Sequence, residues 1–136
     1  MTIVVDANIA IAVLDPQHRF HRAALRRCLE AGEVAILNIT HAEALIYPRR
    51  MHKLDEAAAV LDRLGFNVEV LDNGVAEQAR ELRAEYGNRN FPMVEAAVVA
   101  LGIERGWPAV TCDTKWPEIK EAKIEVFGRS RAVTHR

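Results

Sequence analysis

The chain offers almost no charge imbalance: 18 Lys and Arg stand against 19 Asp and Glu, for a formal net charge of -1. That excludes a globally basic surface, so any nucleic-acid contact must come from a local patch. Cysteine is scarce as well. The two present, Cys28 and Cys112, lie in apolar sequence without the close spacing of a metal site. They read as reduced core residues of a cytosolic protein rather than as a disulfide. The five histidines show no catalytic spacing. No apolar stretch approaches the roughly 18 residues that a membrane span requires. The opening Met1 to Asp6 lacks a basic region and reaches an acid too early for a signal peptide. Internal repeats, low-complexity tracts and interdomain linkers are also missing. A soluble, cytoplasmic protein is expected. Its 136 residues fit one domain, and a half-hydrophobic composition supports a real core.

What is present is an alternation of short apolar runs with amphipathic segments. Thr2 to Val5 is short and β-branched, as a buried strand should be. Further strands are predicted at Val34–Leu37, Val68–Leu71, Ala109–Cys112 and Ile124–Phe127. Helices are predicted at Ala7–Leu14, ended by Asp15-Pro16, and at His18–Ala31, ended by Gly32. In the second, Phe20, Ala24, Leu25, Cys28 and Leu29 share the apolar face, and Arg19, Arg22, Arg26 and Arg27 lie opposite. Thr40-His41-Ala42-Glu43 opens another helix that Pro48 perturbs. Leu54–Leu64, Val75–Tyr86 (capped by Asp72 or Asn73) and Pro92–Arg105 follow. Strands alternating with helices imply a parallel sheet covered on both faces, an α/β fold. Residues 1–128 form the expected domain, and the polar, basic tail 129–136 is expected to fray.

Four acids occupy unusual places. Asp6 and Asp113 each end an apolar run, Glu43 follows a third run, and Glu95 is the one charge inside Met93 to Leu101. Carboxylates at buried strand ends are costly unless something positive meets them. Parallel sheets bind ligands beyond the carboxyl ends of their strands, so these acids can converge if Asp6 and Asp113 end neighbouring strands. Hard cations such as Mg²⁺ or Mn²⁺ prefer such oxygen donors. Each acid also has a plainer role: Asp6 as a helix cap, Glu43 as the partner of Thr40 in a capping box, Asp113 as a turn residue. Glu95 gains a little from its helix N-terminus. The four together favour the functional reading.

The motifs Val4-Val5-Asp6-Ala7-Asn8, Thr40-His41-Ala42-Glu43, Ala79-Arg80-Glu81-Leu82-Arg83, Glu95-Ala96-Ala97-Val98-Val99-Ala100 and Pro108 to Trp116 recur here in order. In that order and spacing the sequence resembles PIN-domain proteins, and is most similar to the VapC toxins of bacterial toxin–antitoxin systems. The resemblance runs from Thr2 to about Phe127. It implies a PIN-like three-layer α/β/α fold and a Mg²⁺- or Mn²⁺-dependent endoribonuclease that hydrolyses RNA phosphodiester bonds. Asp6, Glu43, Glu95 and Asp113 take the positions of its catalytic, metal-binding acids. Asn8 and Thr111 take supporting positions, and Thr40 is placed with them. One departure stands out: the third acid is usually Asp, and here it is Glu95. A displacement of about 1 Å can cost on the order of a hundredfold in rate.

The resemblance also implies a homodimer and a VapB-type antitoxin that inserts a basic side chain into the acidic pocket. RNA needs positive charge to hold it. Arg19, Arg22 and Arg26 on one helical face are candidates, with Arg89 in the loop before the Glu95 helix. Arg49, Arg50, His52 and Lys53 form a second basic cluster, and Trp116 is a candidate for base stacking. A solvated face explains most such runs equally well. Two alternatives remain open. One is a catalytically impaired PIN-fold protein that binds RNA or antitoxin, on account of Glu95. The other is a receiver-like signalling domain, whose phosphoacceptor would have to be Asp72 after the third strand, although no second acid adjoins Asp6.

Overall fold

A computed structural model describes residues 1–87 and 89–128. The tail 129–136, expected to fray, lies outside the described residues. In chain order the elements are β1 (Thr2–Val5), α1 (Ala7–Leu14), α2 (His21–Ala31), β2 (Glu33–Leu37), α3 (Asn38–Ala44) and α4 (Ile46–Arg50). They continue with α5 (Leu54–Arg63), β3 (Phe66–Glu69), α6 (Asn73–Tyr86), α7 (Met93–Arg105), β4 (Ala109–Thr111) and β5 (Ile124–Val126).

The five strands form one parallel sheet in the order β3-β2-β1-β4-β5. From β1 the chain winds outward through β2 to β3, then returns to lay β4 on the other side of β1. The switch in strand order therefore falls between β1 and β4, where parallel sheets open a ligand crevice. Asp6 and Asp113 follow those two neighbouring strands, which meets the condition set for their convergence. The receiver-like reading fails on the same topology. The third strand is an edge strand, separated from β1 by β2, and Asp72 caps α6 by accepting the Val75 N–H.

Strand residues alternate between two apolar layers. Ile3, Val5, Val34 and Ile36 pack with α1, α2 and α5 on one face. Val4, Ala35 and Leu37 pack with α6 and α7 on the other. This is the expected three-layer α/β/α arrangement. Helix α7 lies unusually close to the sheet. A Cβ on Gly102 would stand 2.7 Å from the Trp107 carbonyl oxygen and 3.3 Å from Val4 Cγ1, so only glycine permits this contact.

Several expectations move. Helix α2 begins at His21 rather than His18, because His18 to Phe20 form a turn. The third strand begins at Phe66 rather than Val68, because the chain enters the sheet directly after Gly65 and pairs Phe66 with Val34. Helix α3 begins at Asn38, so Thr40-His41-Ala42-Glu43 lies within it rather than opening it. Leu29, expected on the apolar face of α2, is exposed, while Ala24, Cys28 and Ala31 take the buried positions. Both cysteines are free, and burial pushes both thiols up to about 11. Among the described residues, no helix is long and apolar enough to cross a membrane.

Candidate functional site

Asp6 caps a helix and stands at the candidate site. Its Oδ1 accepts the Ile9 N–H at 3.0 Å, which fixes the start of α1, and its Oδ2 accepts the Thr111 hydroxyl. An ionised carboxylate can accept about four hydrogen bonds, so capacity remains. Thr111 is fully buried and accepts the Asp113 N–H on the same oxygen, at 3.0 Å. One hydroxyl thus ties the end of β1 to the turn after β4. Asp113 in turn accepts the Lys115 N–H at 2.9 Å. The plainer roles of Asp6 and Asp113, cap and turn, are therefore present alongside their convergence.

The other two acids stand on helices. Glu95 is in the first turn of α7 and is half-buried. Its Oε2 is buried with no hydrogen-bond partner among the described residues. Glu43 is exposed on α3. The capping box expected between Glu43 and Thr40 does not form. α3 has no side-chain cap, and the fully buried Thr40 has no partner for Oγ1 among the described residues. Because α3 starts two residues earlier than Thr40, neither residue is at a capping position.

The four acids act on one another. Burial pushes the Asp6 carboxyl up to about 7; the hydrogen bonds from Thr111 and Ile9 oppose this, and the charges of Glu95 and Asp113 add to it. Glu95 is also raised, first by desolvation, with its own backbone N–H opposing and the charges of Glu43 and Asp113 adding. Asp6 thus feels two of the others, and Glu95 feels Glu43 and Asp113. The arrangement is a concentration of negative charge that a cation would relieve.

The residues fit a hard divalent cation in chemistry. Every donor is oxygen, and the orphaned Glu95 Oε2 is a buried acceptor needing a positive partner. They do not form a closed cage: among the described residues, no three His, Cys, Asp or Glu side chains make a ready-made metal cluster. Mg²⁺ tolerates that, because it is held by few carboxylates and keeps several waters.

The remaining candidates scatter. Asn8 is exposed near the start of α1, two residues beyond Asp6. Arg19, Arg22, Arg26 and Arg89 are exposed, whereas Arg27 turns away to pair with Glu125 at 2.8 and 2.9 Å. Trp116 is not a stacking platform. It is 2 % exposed and packs edge-on against Phe91, with ring centroids 5.8 Å apart. Lys115 was not singled out in sequence, yet it is an exposed cation two residues past Asp113. Its position in the Asp113 turn was the available signal.

Known proteins with this fold carry the comparison further. A toxin–antitoxin complex from Klebsiella pneumoniae superposes with a TM-score of 0.73 at 24% identity, covering 91% of this chain and 96% of that one. VapBC from Salmonella typhimurium, solved bound to DNA, gives 0.67 at 18% identity, covering 93% and 98%. VapC20 from Mycobacterium tuberculosis, described as a toxin that cleaves the sarcin-ricin loop, gives 0.63 at 23% identity, covering 79% and 86%. No curated protein matches in sequence. At these identities the superpositions speak to fold. The PIN domain family profile matches residues 3–122, nearly the whole chain. With its sheet order, its acids and that match, the chain belongs to the PIN domain family.

Proposed function

We propose that this PIN-domain chain is a divalent-metal-dependent endoribonuclease, the toxin of a VapC-type toxin–antitoxin pair. The observation that carries the reading is the mutual influence of Asp6, Glu43, Glu95 and Asp113 at the switch between β1 and β4. Structural likeness to toxins solved with their antitoxins supports the partner, and the sarcin-ricin-loop toxin supports RNA as the substrate.

In this reading Asp6, Glu95 and Asp113 would hold Mg²⁺ or Mn²⁺, with Glu43 on α3 as the fourth acid. Bound there, the ion supplies Lewis acidity toward the scissile phosphoryl group and toward water. The chain's own residues do the rest. Thr111 holds Asp6 in one rotamer and fixes the turn that presents Asp113. Capping of α1 by Asp6 keeps that helix in register with the site. Burial of Asp6 keeps its local dielectric low, which strengthens its hold on a cation. Exposed arginines of the α2 region hold the RNA phosphates. A VapB-type antitoxin and a second copy of the chain complete the proposed assembly.

RNA cleavage by purified, antitoxin-free protein with Mg²⁺, Mn²⁺ or EDTA tests this, beside Asp6→Ala and Glu95→Asp. Metal-dependent cleavage that Asp6→Ala abolishes is the expected result. Silence from the parent with cleavage by Glu95→Asp would mean that the extra methylene disables the site, leaving a binding protein. Silence from all three on several RNA classes would overturn the nuclease.

A further inference from the structure

We infer that Lys115, with Arg19 beside it, holds RNA phosphates on the β5 side of the acidic site; this rests on the nuclease reading and extends it. The turn after β4 is the first ground. Asp113 accepts the Lys115 N–H at 2.9 Å, so the backbone of Lys115 is tied to one of the four acids. Its ammonium nonetheless pairs with no carboxylate among the described residues, and the residue is exposed. A cation rooted one hydrogen bond from an acidic cluster, yet not paired with it, is open to an anion held there.

Arg19 reaches the same ridge from a distant part of the chain. Val126 is in register with Thr111, and Phe127 donates its N–H to the Thr111 carbonyl at 2.9 Å. Phe127 and Gly128 therefore lie level with Asp113, one strand over. Phe127 packs against Phe20, with ring centroids 6.3 Å apart. A Cβ on Gly128 would stand 3.0 Å from Phe20 Cζ and 3.8 Å from Thr114 Cγ2, so the ring and the methyl border one point. His18 Nδ1 accepts the Phe20 N–H at 3.0 Å, which holds that turn, and Arg19 stacks 4.9 Å over the Phe20 ring. Arg19 and Lys115 are thus each one residue from the same point, on the outer side of Asp113.

Charge completes the argument. Arg19 is exposed and, like Lys115, forms no salt bridge among the described residues. Arg27, on α2, is by contrast taken up by Glu125 on β5. A polyanion crossing Asp6 and Asp113 is repelled by their charges. Fixed positive charge on one flank of those acids sets the side on which its neighbouring phosphates settle. Arg19 offers a planar fork and Lys115 a mobile point charge, and both suit phosphate oxygens.

The test is fluorescence anisotropy of a labelled single-stranded RNA of about 20 nucleotides on the full chain, with Ca²⁺ in place of Mg²⁺, across a salt series. The parent is compared with Lys115→Ala, Arg19→Ala, their double variant, Lys115→Arg and, as a control, Arg63→Ala. Arg63 is exposed at the end of α5, just before β3 begins, and so lies at the opposite end of the parallel strands from Asp113. Lys115→Ala keeps the backbone N–H that Asp113 accepts, and thermal melts matching the parent establish that each variant is folded. Each alanine on the ridge is expected to lower the slope of log affinity against log salt by about 0.7, which weakens binding about fivefold near about 0.1 M salt. The double variant should lose about 1.4 in slope. Lys115→Arg and Arg63→Ala should match the parent. In cleavage of total RNA with Mn²⁺, KM should rise in the ridge variants and kcat should hold. Equal affinity and slope in parent and double variant, with cleavage intact, would overturn the ridge and leave the nuclease standing. A loss in Arg63→Ala as large as that in Lys115→Ala would also overturn it, by reducing the effect to overall charge. A parent that neither binds nor cleaves RNA would remove the nuclease reading, and the ridge with it.

Discussion

The two halves of the acidic site are built differently. Asp6 and Asp113, at the strand ends, are bound into a web of hydrogen bonds through Thr111, Ile9 and Lys115. Glu43 and Glu95 stand on helices with longer side chains; one is exposed, and the other has an oxygen with no partner among the described residues. The strand half is positioned before anything binds. The helix half is free to adjust to what arrives. A site of this kind fixes the origin of its coordinate frame in the sheet and leaves the fit to the glutamates, which is how one added methylene at position 95 can be accommodated.

The largest effect should come from the strand half. The folded chain holds the Asp6 proton up to about pH 7, whereas the ordinary value is 3.8. The unfolded chain releases that proton first. As far as this group is concerned, the metal-free protein is therefore most stable below about pH 4 and loses about 1.4 kcal/mol per pH unit up to about 7. Denaturant titrations of chelated protein across this range should show the decline, and Asp6→Asn, which can still cap α1, should flatten it. A parallel decline in both proteins would place the linkage elsewhere.

Next comes Thr111→Val, which keeps the shape but removes the hydroxyl shared by Asp6 and the Asp113 turn. One buried and one partly buried group lose a partner, so unfolding should become easier by roughly 1–3 kcal/mol. On the proposed function, cleavage should fall about 10–100-fold, the usual cost of losing a residue that orients a metal ligand. Equal stability in thermal melts would mean that the hydroxyl does not tie the two strand ends together.

On the helix half the two readouts should separate. Glu95→Gln should weaken Mn²⁺ binding, followed by calorimetry, by at least about tenfold, yet raise the stability of the metal-free protein slightly, because a desolvated charge is removed. Glu43→Gln should change stability by less than about 0.5 kcal/mol, as exposed substitutions do, while still reducing cleavage. A large loss of stability in either variant would erase the distinction between the two halves.

Much of this was legible in the sequence, for identifiable reasons. β1 and β4 announce themselves as β-branched runs ending in an acid, so Asp6 and Asp113 could be placed at strand ends and paired. Edge strand β3 could not be placed as well. Val68 is 50% and Val70 69% exposed, so burial did not dictate which apolar residues begin it, and the register with β2 did. Thr40 and Glu43 matched a capping pattern because spacing alone cannot tell the first turn of a helix from its middle. Trp116 gave no local sign of burial, since its partner Phe91 lies on a different loop. The Arg27–Glu125 pair joins residues 98 positions apart, beyond the reach of any helical-face count.

Gly102 places the helix half relative to the strand half. Helix α7 can approach β1 only because residue 102 has no side chain to hold it off Val4 and the Trp107 carbonyl. Glu95 rides the same helix seven residues earlier, about 10 Å along its axis. Helix α7 is therefore a lever whose fulcrum is a missing methyl group. A single carbon added there would tilt the far end and carry the Glu95 carboxylate away from Asp6 without touching either acid. The reach of the site is gauged two turns away, by a residue with no chemistry of its own.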